Sequence, residues 1–168
     1  MKKIYLAILI FCITYAQLSM DTETQLQLTI KIAQQARNLS FNKNKKIAVL
    51  YQENFPSSML IRNEIIRLEE NYKDIHFEYI TYKDSYIIDP DIVILCPSRG
   101  LDPDRIFTNF SLKKKLNFGF VNDFYKQAYV TFGLKNNKPK LMILKEALTS
   151  LNTGFSGSFL SLCDIIEY

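Results

Sequence analysis

The sequence predicts an α/β protein, a three-layer sandwich whose mostly parallel sheet contains two βαβ units and ends in an antiparallel hairpin. Three observations support this fold class. Two short runs are apolar throughout, which is typical of strands buried on both faces of a parallel sheet. Segments with apolar residues at helical spacing lie between the predicted strands. Near the end of the chain, two β-rich runs are joined by a polar turn, which indicates a hairpin.

The first βαβ unit follows an opening helix. Apolar residues recur at helical spacing over residues 21–40 and predict that helix, and IAVLY at 47–51 predicts a buried central strand. Ser57 or Ser58 can cap the next helix. The β-rich stretch IHFEYIT at 75–81 then returns as the second strand, and the crossover between the two strands should be right-handed.

The second unit repeats this pattern. DIVILC at 91–96 predicts another buried strand, and Asp102 with Pro103 can open a helix that runs to about Lys114. LNFGFV at 116–121 predicts the strand that follows. The expected strand order is 2-1-3-4, which places the first strand between the second and the third.

The last third of the chain predicts a change to antiparallel pairing. Residues 128–134 and 139–144 are β-like runs, and the polar residues 135–138 between them indicate a turn. A short helix over 145–151 and a longer one over 156–166 are expected to close the chain.

The amino terminus reads as a secretory signal peptide over residues 1–16. It has a basic start, an apolar run over 4–13 that is shorter than a membrane span, and a small residue at Ala16. Lipid attachment at Cys12 is the alternative, but a bulky phenylalanine precedes that cysteine. We therefore expect a periplasmic protein, cleaved near Ala16, in which residues 17–168 form a single domain.

Several functional classes lack their sequence signals. The chain has one histidine, His76, and no GxSxG, HExxH, GxGxxG or P-loop motif. These absences argue against a catalytic triad, a histidine zinc site, a Rossmann cofactor site and a nucleotide hydrolase, and we expect no cofactor or metal. The formal net charge of +4 includes Lys2 and Lys3 of the signal peptide. Binding of nucleic acid is therefore not predicted.

Polar residues follow the two central strands and predict a ligand site. In doubly wound sheets, ligands bind beyond the carboxyl ends of the strands where the winding direction reverses. Hydroxyl groups and free N–H groups at a helix start, facing a guanidinium, suit a carboxylate or phosphate. The alternative is that the serines only cap the helix and that the arginine is solvated. The candidate residues are Asn54, Ser57, Ser58, Ser98 and Arg99.

Aromatic residues are dense in two segments, YITYKDSY and FGFVNDFY. Tyrosine and phenylalanine are enriched at the centres of protein interfaces, although packing in the core is the commoner role. The candidate interface residues are Tyr82, Tyr86, Phe124 and Tyr125.

Cleavage of the signal peptide would leave two cysteines, Cys96 and Cys163. In an oxidising compartment they can form a disulfide between the end of a central strand and the last helix. The alternative is two buried free thiols, because unpaired cysteine is among the most buried residue types.

The succession of these segments resembles the YfiR-like family of small periplasmic proteins. The resemblance lies in KIAQQARNLS (31–40), IAVLYQ (47–52), DIVILCPS (91–98) and the closing stretch 116–168. It implies a non-enzymatic regulator, since the family's namesake restrains an inner-membrane diguanylate cyclase by binding its periplasmic sensor domain. It also implies disulfide stabilisation and a possible homodimer. The alternative function is a one-lobed relative of solute-binding proteins that holds a small anionic ligand.

Overall fold

The computed structural model describes residues 20–36, 45–100, 115–120, 128–135, 138–150 and 155–167. Seven strands form one sheet with the order β2-β1-β3-β4-β5-β6-β7. The strands are β1 Lys45–Tyr51, β2 Ile75–Thr81, β3 Ile92–Leu95, β4 Leu116–Gly119, β5 Val130–Lys135, β6 Lys138–Leu144 and β7 Cys163–Ile166. The helices are α1 Thr22–Gln35, α2 Pro56–Leu68, α3 Lys145–Ser150 and α4 Gly157–Leu160, with 3₁₀ helices at Glu69–Asn71 and Tyr82–Ile87.

The pairing of the strands confirms the predicted fold class. Strand β1 lies between β2 and β3 and is parallel to both, and β4 and β5 continue the parallel sheet. The expected order 2-1-3-4 is therefore correct. The hairpin is also confirmed, because β5 and β6 pair antiparallel from Val130↔Ile143 to Lys135↔Lys138. Strand β7 is parallel to β6, so these last two strands run opposite to the other five.

Side chains alternate between the two faces of the sheet, and both faces are buried at its centre. Helices α1 and α2 cover one face, where they pack against the odd-numbered residues of β1. On the other face Leu50, Val93 and Leu95 pack with Tyr82 of the second 3₁₀ helix and with Ala128. The first face contains the larger cluster, which includes Leu26, Ile30, Ala33, Ile47, Val49, Ile65, Leu68, Ile92 and Ile94.

Helix α2 begins differently from the prediction. Its first residue is Pro56, and its N-cap residue Phe55 makes no side-chain capping hydrogen bond. Proline suits this position because its ring fixes a helical φ and its missing N–H would have no partner there. Ser57 and Ser58 therefore lie inside the helix, and the prediction that one of them is the N-cap is wrong.

The predicted helix over residues 156–166 is also wrong beyond its first turn. Ser156 caps the short helix α4 by accepting a hydrogen bond from the Phe159 backbone N–H at 3.2 Å. The chain then turns into β7, which pairs with β6 from Leu141↔Cys163 to Leu144↔Ile166. Pairing with a neighbouring strand outweighed the helical spacing of a short apolar segment.

Several expectations concern residues outside the described ranges. These are the signal peptide over 1–16, the helix over 102–114, and the side chains of Phe124 and Tyr125. In the parts of the chain that the structure describes, no helix is long and apolar enough to cross a membrane.

Candidate ligand-binding site

The loops after β1 and β3 meet at one edge of the sheet, as the strand order requires. The side-chain amide of Gln52 joins them by two hydrogen bonds to the backbone of Arg99. Nε2 of Gln52 donates to the Arg99 carbonyl oxygen at 3.0 Å, and Oε1 accepts from the Arg99 N–H at 2.6 Å. The crevice between the two loops is thus bridged by protein groups, while the Arg99 side chain is exposed.

The predicted ligand residues differ in their burial and in the groups that they contact. Ser58 is fully buried, and its hydroxyl accepts a hydrogen bond from the Gln52 backbone N–H at 2.8 Å. Ser57 is exposed and Ser98 is partly buried. Asn54 lines the cavity described below; its φ of 61° is left-handed, a conformation that asparagine adopts more readily than most residues. The structure therefore gives Ser58 a structural role in holding the loop after β1.

The cavity lies at the carboxyl end of β1 and beside the first turns of α2. It has a volume of about 440 Å³ and is lined by Tyr51, Glu53, Asn54, Met59 and Arg62. This volume lies in the range of about 300–1,000 Å³ that is usual for small-molecule sites. It also lies at the strand ends where an α/β sheet is expected to bind a ligand.

Arg62 is the cation of this cavity. Its guanidinium carbon lies 4.8 Å from the ring centroid of Tyr51 and 5.4 Å from that of Tyr79. Both distances are typical of cation–π contacts. Nη1 donates to Oδ1 of the neighbouring Asn63 at 2.9 Å, whereas the buried Nε has no hydrogen-bond partner. No carboxylate in the described part of the chain forms an ion pair with Arg62.

The ring of Tyr79 is held in place below the guanidinium. Its hydroxyl donates to Oε2 of Glu69 at 2.6 Å. Burial, assisted by this hydrogen bond, raises the pKa of Tyr79 far above its usual value, so the phenol stays neutral. The carboxylate of Glu69 is thereby hydrogen-bonded to Tyr79, and it forms no ion pair with Arg62. The ring of Tyr79 is therefore a fixed support for the positive charge of Arg62, whose guanidinium keeps N–H donors that can bind a ligand.

Arg62 was not among the residues predicted from the sequence, although the sequence contains a signal for it. Ser58, Arg62 and Ile65 follow one another at four and three residues along α2, which places them on the same side of the helix. Ser58 and Ile65 are both fully buried. A single arginine on an otherwise buried stripe indicates a charge that is held against the sheet.

Cys96, which directly follows β3, is fully buried and is not among the residues that line the cavity. Burial raises the pKa of the Cys96 thiol well above its usual value, and so its reactive thiolate is suppressed. Within the described ranges, no group of three His, Cys, Asp or Glu side chains is placed to hold a metal ion.

The predicted disulfide is not formed. Both Cys96 and Cys163 are buried free thiols. Cys96 directly follows β3 and Cys163 begins β7, with β4, β5 and β6 between them. Four strand spacings amount to about 19 Å, whereas a disulfide needs Cα atoms within about 7 Å. The error came from placing Cys163 on a helix instead of on the far strand of the sheet.

The structure contradicts the predicted aromatic interface at Tyr82 and does not describe the side chains of the other three residues. Tyr82 is only 6% exposed and packs on Leu50 and Leu95. Its hydroxyl donates to the Cys96 carbonyl oxygen. Tyr82 therefore belongs to the core. Tyr86 lies in the 3₁₀ helix Tyr82–Ile87 but its side chain, like Phe124 and Tyr125, lies outside the described part of the structure.

Comparison with known proteins identifies the fold. No protein-family model and no curated protein sequence matches the chain. A conserved domain protein from Vibrio cholerae O1 biovar eltor is similar in structure, with a TM-score of 0.62 and 13% identity over 88% of this chain and 60% of that one. The ABC domain from Streptococcus pneumoniae in complex with L-Trp has a TM-score of 0.62 and 10% identity over 82% of this chain and 61% of that one. The chain thus spans about three fifths of each structure, and the likeness shows the α/β fold alone.

Proposed function

We propose that the protein is an exported, non-enzymatic binding protein that holds a small carboxylate-bearing ligand in the cavity at Arg62. The observation that carries this proposal is the partly buried guanidinium of Arg62, which lies over two tyrosine rings without a carboxylate partner in the described part of the chain. This function corresponds to the solute-binding alternative of the sequence analysis, with Arg62 in the place assigned to Arg99.

The electrostatics of the cavity support a carboxylate. A guanidinium that has lost water is stabilised by an anion, and its planar fork of N–H donors matches the two oxygens of a carboxylate. Rings of Tyr51 and Tyr79 hold the fork in one place, so that little side-chain entropy is lost when an anion binds. The structurally similar ABC domain is in complex with L-Trp, which carries a carboxylate, and this supports the proposal by analogy of fold.

Substitution of Arg62 tests this function. Monocarboxylates such as 4-methylpentanoate and 3-phenylpropanoate should bind the wild-type protein and shift the NMR signals of Tyr51 and Asn54. Arg62→Gln should weaken that binding by about tenfold or more, because a charge-assisted hydrogen bond is lost. Arg67→Gln is the matched control, since Arg67 lies on the same helix but is exposed and paired with Glu64. Equal binding by both variants, or no binding by the wild type, would overturn the proposal.

Regulation by protein contact, which the family resemblance implies, is a second candidate function. The partner would be the periplasmic domain of an inner-membrane signalling protein, or a second copy of the chain. Exposed Leu162 and Ile165, 69% and 47% accessible, favour this candidate because they lie at β7, the last strand of the described sheet. Exposed apolar residues at a sheet edge are typical of contact surfaces.

Two measurements test this second candidate. Mass spectrometry of the native protein should find a chain that begins at Gln17, since cleavage is expected after Ala16. Capture of membrane proteins by the tagged chain should be lost in Ile165→Asp and retained in Leu60→Asp, a control with 70% exposure on α2. Equal capture by both variants would remove the reason for placing an interface at β7.

A further inference from the structure

The cavity that contains Arg62 also contains an acidic group. Glu53 lies on the loop after β1 and lines the same cavity. The two side chains do not form an ion pair with each other, and Glu53 has no ion-pair partner in the described ranges. One cavity therefore presents a positive and a negative group, each of which is open to a partner of opposite charge.

We infer that the ligand is a small zwitterion of the α-amino-acid type, whose carboxylate binds Arg62 and whose ammonium group binds Glu53. This inference rests on the proposed function, because it assigns the ligand class of the same site. An ammonium group donates three hydrogen bonds. The carboxylate of Glu53 and the amide oxygen of Asn54, which lines the same cavity, are both acceptors.

The charges of the cavity discriminate between ligand classes. A phosphate dianion would find one cation in Arg62 but would be repelled by Glu53. A simple carboxylate would pair with Arg62 but would make no attractive contact with the exposed Glu53. A zwitterion pairs with both groups and brings no net charge into the cavity. Met59 and the ring of Tyr51 supply apolar wall, which suits an uncharged side chain on the ligand.

A matched series of three compounds separates the two charges of the ligand. L-leucine carries both, 4-methylpentanoate lacks the ammonium group, and 3-methylbutylamine lacks the carboxylate. Isothermal titration of the intact protein should show L-leucine binding at least about tenfold more tightly than either of the other two, since each lacks one charge-assisted contact. Inorganic phosphate should not compete with L-leucine.

Variants assign each contact to its residue. Arg62→Gln should weaken the binding of L-leucine and of 4-methylpentanoate. Glu53→Gln should remove the preference for L-leucine over 4-methylpentanoate and leave the binding of the acid unchanged or tighter. Circular dichroism checks that each variant is folded, and Glu70→Gln, an exposed glutamate away from the cavity, is the control for loss of one negative charge.

The outcomes distinguish the two proposals. If 4-methylpentanoate binds as tightly as L-leucine and Glu53→Gln changes neither affinity, the zwitterion inference is overturned while the carboxylate site stands. If neither compound binds, or if both bind folded Arg62→Gln as they bind the wild type, the inference and the proposed function are both overturned. Competition by inorganic phosphate would also overturn the inference, since it would show that Glu53 does not exclude dianions.

Discussion

Replacement of Ser58 by alanine tests whether this residue supports the structure or binds a ligand. The Ser58 hydroxyl is fully buried and accepts a hydrogen bond from the Gln52 N–H at 2.8 Å. Ser58→Ala removes this acceptor and leaves the partly buried N–H without one, so the expected loss is about 2 kcal/mol in the free energy of unfolding. For a chain of this length, that loss corresponds to a fall of about 4–8 °C in Tm.

Urea denaturation followed by circular dichroism measures this change. The midpoint of Ser58→Ala should fall with little change in the slope of unfolding free energy against urea, because the fold itself is kept. Ser57→Ala is the matched control; Ser57 is the adjacent, exposed serine and should change the free energy by no more than about 0.5 kcal/mol. If the two variants unfold at the same urea concentration, the structural role of Ser58 is refuted.

Two further predictions concern the cysteines and Asp91. Thiol titration without reductant should find Cys96 and Cys163 both reactive in denaturant. If neither thiol reacted, the disulfide hypothesis would hold after all. Burial raises the pKa of Cys163 to about 11, so alkylation of this thiol in the native protein should accelerate up to about that pH. Partial burial raises the pKa of Asp91, but hydrogen bonds from the Lys46 N–H and the Lys45 ammonium outweigh it and hold that pKa below its usual value. The stability that Asp91 contributes is therefore present above the unfolded-state pKa of about 3.9 and is lost as the pH falls through the lower folded-state pKa. Asp91→Asn should thus unfold more easily than the wild type at about pH 6, and the difference should shrink as the pH falls toward about 2; an equal difference at both would contradict this pairing.

The central strands could be predicted from the sequence because a strand that is buried on both faces is apolar at successive positions. IAVLY (47–51) and IVIL (92–95) are apolar throughout, and they lie in strands β1 and β3 at the centre of the sheet. The last strand, β7, has no such pattern in the sequence. Phe159, Leu160, Cys163 and Ile166 fit helical spacing, and only pairing with β6, which is distant in sequence, makes the last two of them part of a strand.

The loops that were predicted to meet do lie together at one edge of the sheet, and of the predicted ligand residues Asn54 lines the cavity described there. Chain order and parallel pairing were enough to bring the loops after β1 and β3 together. The roles of single side chains depend on contacts that no local pattern encodes. Gln52 bridges to the backbone of Arg99, and Ser58 is used to hold Gln52. Asn54 was predicted, and Arg62 could have been, through its place on the buried side of α2.

The order of the strands bears on how the chain assembles during synthesis. Strand β1 pairs with the next two strands to emerge, and from β3 onward each strand adds beside the one made just before it. Every step after the crossing from β2 to β3 therefore joins segments that are close in sequence, which keeps the entropy of loop closure small. Most of the sheet can grow in one direction as the polypeptide lengthens. The three strands β2, β1 and β3, which lie beside the helix that bears Arg62, can therefore pair before β6 and β7 are synthesised.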